Sequence, residues 1–397
     1  MSKSPQVAPR MVLPGGTIGM VGGGQLGRMF AMAASRMGYR VIVFCESIDE
    51  PAPQVAHGCV TGKLDDKKAV DQFASQCDVI TLEFENIPAE TIAECQRFAP
   101  TYPSADVLAT AQDRLLEKTT LQKSGLPVAP FAEVTDLDSL ETASAKVGFP
   151  LILKTVRSGY DGKGQHRIGS IDDAKQVDWA SCSQWVAEKL IPFDREVSVI
   201  VARTRDGRTS TFPVFENDHV NHILDVTMVP ASIGDDLTRR ANQIAIGAAV
   251  ALDVVGLLCV EMFVCGESDG SESDGSGEVL INEVAPRPHN SGHLTIEGCH
   301  TSQFEQHVRA VCGLPLGDTS LVSNAAAMAN LLGDLWPADG SSPPWNRVYD
   351  VPGVSLHLYG KQQAKRGRKM GHLTCVSQDR DTAVVQVKQA REQCKSG

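Results

Sequence analysis

The chain has 397 residues, of which 42% are hydrophobic and 21% charged, and its formal net charge is -11. That length exceeds one ordinary core and implies two or three domains of a soluble globular protein. The acidic balance excludes general nucleic-acid binding through a basic surface, and eleven scattered cysteines without a C-x-x-C pair exclude a disulfide framework or a clustered zinc site.

Residues 1–15 contain Lys3, Arg10 and three prolines but no apolar signal-peptide core, and read as a disordered tail. A cytoplasmic location is expected, with a processed organellar precursor left open. Residues 17–21 form a short strand, the turn GGGQLG follows at 22–27, and an amphipathic helix runs to about Met37. Further strands are expected at 41–44 and 78–84. This alternation predicts a parallel, doubly wound first domain. Gly22, Gly24 and Gly27 satisfy G-x-G-x-x-G, and Glu46 ends the second strand where a ribose-binding acid would stand. A nicotinamide dinucleotide, another phosphorylated ligand and a purely structural turn all fit this motif. In the ligand readings, the free N–H groups of the helix start would meet a phosphate.

A helix is expected over 113–125, stopped by Gly125 and Pro127. The strand 149–156 carries Lys154, and the glycine-rich loop 158–165 carries Lys163. A strand lysine and backbone N–H donors can hold polyphosphate, although the spacing is not that of a Walker A loop. Strands follow at 184–190 and 196–203. The apolar window 245–264 contains Asp253, Gly256 and Glu261, so it reads as a helix end and a buried strand, not a membrane span.

Residues 257–264 and 279–286 form a hairpin whose acidic, low-complexity connection, 266–277, reads as disordered. Glu261 and Glu283 are lone acids in these apolar strands. Buried together they would repel unless a cation lay between them, and oxygen ligands of this kind suit Mg²⁺. Asn282 and Arg287 flank the second acid.

His289 and His293 in PRPHNSGH have H-x-x-x-H spacing, but the prolines argue against the helix that a zinc pair needs. A polar loop beside the magnesium site is expected, with Arg287 on an anion and Asn290 on substrate. After a helix at 302–313, a third region contains 324–333, a proline-rich break near 337–344, 354–361, and last strands at 372–376 and 383–387. The cationic stretch 359–372 is either a solvated loop or a phosphate site.

Taken in order, GGGQLGRM, TLEFENIP, LKTVRSGYDGKGQ, VEMFV, INEVAPRPHNSGH, and YGK with GRKMGH resemble the N5-carboxyaminoimidazole ribonucleotide synthetase family, over about residues 16–388. The resemblance implies an α/β ATP-grasp fold. It comprises a doubly wound pre-ATP-grasp domain (16–112), an ATP-grasp lid and core (113–303) and a small β-rich C-terminal domain (304–390). It implies that ATP and bicarbonate carboxylate aminoimidazole ribonucleotide with Mg²⁺. Arg114, Lys154, the loop Gly159, Tyr160, Asp161, Gly162, Lys163, Gly164 and Gln165, and also His219, Asn282 and Glu283 should meet the nucleotide. Glu188, Lys189, Leu190 and Ile191 should bracket the adenine and Glu196 the ribose. Glu261 and Glu283 should hold the metal. Gln25, Leu26, Glu83, Asn290, Lys361, Arg368 and Lys369 should meet the ribonucleotide, the last three at its phosphate. Lys154, Arg287, Tyr160 and Asp161 are the expected catalytic set. No nucleic-acid or membrane partner is implied. A homodimer is, and so is a functional link to the mutase that follows in the pathway, to which this domain is fused in some eukaryotes. A fused or truncated origin therefore stays open. The alternatives are a formate-dependent glycinamide ribonucleotide transformylase and an NAD-dependent dehydrogenase. The second leaves Lys154 and the paired acids unexplained.

Overall fold

The computed structural model describes residues 11–157, 164–266 and 277–395. Its first sheet contains β1 (Thr17–Val21), β2 (Arg40–Cys45), β3 (Gly58–Thr61), β4 (Val79–Leu82) and β5 (Thr101–Tyr102). All pairings are parallel, in the order β3-β2-β1-β4-β5. The near-continuous apolar run of β2 suits a strand covered on both faces. Ile18, Met20, Val41 and Val43 pack on Phe30 and Ala34 of the helix Gln25–Arg36, and Val21, Phe44, Ile80 and Leu82 fill the opposite face with Phe73 and Ile92. The strand order reverses at β1, beside the turn 22–27, which is where open sheets of this kind place ligands.

A small antiparallel sheet follows, with β6 (Phe131–Val134), β7 (Leu151–Thr155), β8 (Gln165–Ile168) and β9 (Trp185–Lys189) in the order β6-β9-β7-β8. Leu140, Leu153, Ile168 and Trp185 form its own core.

The large sheet runs through β10 (Arg195–Arg203), β11 (Thr209–Thr211), β12 (Phe215–Val220), β13 (Ile223–Val229), β14 (Gly256–Cys265) and β15 (Glu278–Ala285). It continues into β16 (Ala325–Leu332), β17 (Val354–Leu358) and β18 (Lys369–Ser377), in the order β15-β14-β10-β12-β13-β16-β18-β17 with β11 on β10. The C-terminal strands thus extend the central sheet through the β13–β16 pairing. The acidic connection expected between β14 and β15 falls mostly outside the described residues.

One expected strand is corrected. Residues 383–387 lie inside a helix, Arg380–Gln393. The run AVVQV looks like a strand because it is rich in valine. However, Ala383, Val387, Ala390 and Cys394 recur at helical spacing and pack under the sheet with Leu331 and Leu373. The Asp379 carboxylate caps the helix by accepting from the Thr382 N–H at 2.7 Å.

The helix Gln303–Cys312 packs on the first domain through Phe304, Val308 and Val311, and His307 Nε2 meets Thr81 Oγ1 at 2.8 Å. It ties the first sheet to the large one. No helix among the described residues is long and apolar enough to cross a membrane.

Candidate active site

The three sheets enclose a cleft of about 1320 Å³. Its floor is the β14–β15 hairpin. Glu261 stands directly opposite Glu283, and a register shift next to the pair leaves Asn282 as the extra residue of a bulge. A bulge re-aims side chains, and both Asn282 and Glu283 line the cleft with Glu261. Each acid meets a cation. Arg114 Nη1 lies 2.9 Å from Glu283 Oε2, and His289 Nε2 lies 2.8 Å from Glu261 Oε1. Burial opposes ionisation of Glu261, but the His289 and His219 imidazoles outweigh it and hold the carboxyl at about 2. Burial likewise pulls His289 down, while Cys259 and Glu261 carry it up to about 10.

One wall carries a buried charge cluster. Glu188 Oε2 accepts from Lys154 Nζ at 2.9 Å and lies 3.3 Å from Lys118 Nζ, which also donates to the Asn282 carbonyl at 2.8 Å. Burial would raise the Glu188 pKa, but the two lysines hold it at about 2. The neighbouring Glu117 has no such surplus, and burial pushes it up to about 8. The Glu188 carboxylate therefore faces the lysines, while Lys189, Leu190 and Ile191 line the cleft beyond it. Phe193 stacks on Phe263 at 4.6 Å along the same wall. Glu196 pairs with His219, and both line the cleft. Burial lowers the His219 pKa, but Glu196 reverses the effect and leaves it raised.

The glycine turn departs from expectation. Its helix-start N–H groups are not available to a ligand phosphate at Gly24 or Gly27. Gly24 N–H donates to Glu83 Oε1, and Gly27 N–H to Glu83 Oε2 at 2.8 Å. A Cβ at Gly24 would come within 2.5 Å of the same carboxylate. The acceptor at this helix start is thus the protein's own Glu83 carboxyl, whose pKa burial raises against the pull of the two N–H donors, and the glycine makes room for it. Gln25 and Leu26 still line the cleft.

Arg287 lines the cleft with its guanidinium clamped on Glu85, Nη2 lying 2.9 Å from Oε1. Burial would raise the Glu85 pKa, but Arg287 holds it at about 2. The segment expected to be a loop is a one-turn 3₁₀ helix, Asn290–Leu294, because its prolines sit ahead of the first turn, where no N–H is needed. His289 and His293 diverge, one towards Glu261 and the other towards Gln303. Asn290 and Lys369 line the cleft. Lys361 and Arg368 are not among the residues lining it, Lys361 Nζ donating to the Lys369 carbonyl at 2.6 Å and Arg368 Nη1 to the Gln363 carbonyl at 2.8 Å. Burial, and then Arg368, lowers Lys361 to about 8. Gln165 reaches the cleft and Gly164 packs on Thr155. Gly159, Tyr160, Asp161, Gly162 and Lys163 lie outside the described residues.

Sequence reasoning missed Lys118, Glu117, Glu85 and the ion-pair role of His289. Arg114 and Lys118, four apart on one helix face, were the readable signal for the first. The second acid of TLEFENIP was the signal for Glu85.

A lone strand carboxylate pair suits a hard divalent ion that takes its remaining ligands from phosphate and water. Among the described residues no group of three or more His, Cys, Asp or Glu side chains could hold a metal by itself. The donor set therefore fits Mg²⁺ shared with a polyphosphate.

Three family profiles match the chain in order: a ribonucleotide synthetase preATP-grasp domain (16–112), an ATP-grasp domain (119–304) and a phosphoribosylaminoimidazole carboxylase C-terminal domain (326–386). Fold and cleft together define an ATP-grasp protein. The N5-carboxyaminoimidazole ribonucleotide synthase of Bacillus subtilis is 40% identical over 385 residues, covering 96% of this chain and 97% of that one. The chain belongs to that family. It is also 42% identical over 378 residues to the bifunctional purine synthesis protein purC/E of Dictyostelium discoideum, covering 91% of this chain but spanning only 37% of that relative. The solved N5-carboxyaminoimidazole synthase of Aspergillus clavatus, in complex with ADP and 5-aminoimidazole ribonucleotide, superposes with a TM-score of 0.84 at 31% identity, covering 96% and 98% of the two chains.

Proposed function

We propose that this protein carboxylates the amine of 5-aminoimidazole ribonucleotide with ATP and bicarbonate, giving N5-carboxyaminoimidazole ribonucleotide, ADP and phosphate in purine synthesis. The observation that carries the reading is the cross-strand pair Glu261 and Glu283 facing the same cleft as Lys154, a cleft also lined by Lys369 and by Gln25 and Leu26 of the first domain. Bicarbonate is a poor electrophile. Attack of its oxygen on the γ-phosphoryl group forms carboxyphosphate and releases ADP. The amine nitrogen then attacks the activated carbon, and phosphate leaves.

Arg114, Lys118 and Lys154 supply the positive charge that offsets the phosphoryl oxygens. Glu261, Glu283 and the neighbouring Asn282 would hold Mg²⁺, which supplies charge neutralisation and orientation when bound. Lys189, Leu190, Ile191, Phe193 and Phe263 offer an apolar slot for the base, and Glu196 with His219 a polar edge for the ribose. Arg287, steadied by Glu85, is the proposed bicarbonate anchor. Lys361, Arg368 and Lys369 give the third region its cationic end for a 5′-phosphate. A homodimer in the cytoplasm, working alongside the mutase that consumes the product, completes the proposal.

The test is a coupled ADP-release assay with ¹³C-bicarbonate. ADP formation is expected to require both bicarbonate and the ribonucleotide, with label in the product carbamate. ADP release indifferent to both would overturn the reading.

A further inference from the structure

The 3₁₀ turn Asn290–Leu294 holds two polar atoms that nothing so far explains. Asn290 Nδ2 and His293 Nε2 are buried and have no hydrogen-bond partner among the described residues, and both residues line the cleft. In a 3₁₀ helix, side chains three apart eclipse one another. The two groups therefore share a face of the turn.

The protonation of His293 can be read from its surroundings. The His289 N–H donates to Gln303 Oε1 at 2.9 Å, and the His289 carbonyl accepts from Gln303 Nε2 at 2.8 Å. These two backbone contacts fix which end of the Gln303 amide is nitrogen. Its second N–H points at His293 Nδ1, 3.0 Å away. Nδ1 must then accept, so the ring is neutral and carries its proton on Nε2. Gln303 is itself anchored, its backbone N–H donating to Thr295 Oγ1 at 2.9 Å. A Cβ at position 292 would come within 2.5 Å of Gln303 Oε1, so Gly292 is what lets the amide approach. The imidazole is wedged against Phe304, His372 and Tyr359, with ring centroids at 5.7, 5.0 and 6.1 Å.

A buried, neutral, orientation-locked N–H beside a second amide donor is a built site for acceptor oxygens. Lys369 is near enough to act electrostatically on His293, and both line the cleft with Gln25 and Leu26. Lys369 offers charge for a phosphate, and the neutral pair suits uncharged oxygen. We infer that His293 binds the ribonucleotide by donating from Nε2 to a sugar oxygen next to the Asn290 contact, with Gln303 as the positioning residue that fixes the tautomer. This rests on the function proposed above.

His293→Phe keeps an aromatic ring but loses the donor, whereas His293→Gln places an amide N–H near the old Nε2 position. The Phe variant is expected to raise KM for aminoimidazole ribonucleotide about tenfold while KM for ATP and for bicarbonate stays within twofold. The Gln variant should recover most of that loss. In Gln303→Leu the ¹⁵N shifts of His293 should move from the Nε2–H form to a tautomer mixture, with the ribonucleotide KM rising in parallel. An unchanged ribonucleotide KM in the Phe variant, a rise in bicarbonate KM instead, or a Gln variant no better than Phe while both still bind ADP would each overturn the inference. Absence of ribonucleotide-dependent turnover in the unmodified protein would overturn the function, and this contact with it.

Discussion

The glycine turn at 22–27 and the β14–β15 hairpin both look like ligand sites, yet they treat their polar groups in opposite ways. At the turn, Glu83 takes the N–H groups of Gly24 and Gly27, so these two donors of the helix start are satisfied from within. At the hairpin, Glu261 and Glu283 face each other across two strands and each borrows a cation from another element. Internal capping ties Gly24 and Gly27 to the scaffold. The hairpin keeps paired charge directed into a cleft, which is where binding energy for a charged ligand is found.

Glu283→Gln puts most weight on this contrast. It keeps shape and removes charge, and turnover is expected to fall on the order of a hundredfold or more, while thermal unfolding stays close to the parent. Retained activity would remove the claim that the hairpin carries the metal.

Lys154→Met should lower both turnover and stability. Denaturant unfolding is expected to show a loss at or below the roughly 3–5 kcal/mol typical of opening a buried pair, since Lys118 remains beside Glu188. Glu85 adds a pH signature. Its folded pKa of about 2 is depressed below the unfolded value, so the Arg287 pair stabilises the fold above the unfolded pKa. That contribution, a few kcal/mol, fades as the pH falls from about 4.5 to 2. Glu85→Gln should flatten that acid limb in a stability-versus-pH series.

The smallest expected effect belongs to the turn. Glu83→Gln should cost about 1 kcal/mol, as for other lost helix caps, and leave the ATP KM unchanged. A large change in ATP KM would blur the distinction between the two regions.

Much of this was legible in the sequence because it depends on local pattern. The apolar runs of β1, β2, β14 and β15 announce buried strands, and a single acid inside such a run announces itself. Glu83 was also picked out, but its partner was not, because a cap 59 residues away in sequence is a fact of tertiary structure. Lys118 hid on a helix, where a lysine ordinarily reads as solvated surface. The bulge that brings Asn282 beside Glu283 depends on strand register, which no single strand encodes. The helix Arg380–Gln393 was misread because β-branched residues favour strands locally, whereas its apolar period of about 3.6 decides the packing.

The central claim is that Glu261 and Glu283 jointly hold a metal–nucleotide complex. Electron paramagnetic resonance of Mn²⁺ titrated into the protein with ADP tests it directly. A protein-bound Mn²⁺–ADP signal is predicted for the parent and should be lost in the Glu261→Gln, Glu283→Gln double variant. An unchanged bound signal in that folded variant would contradict the account.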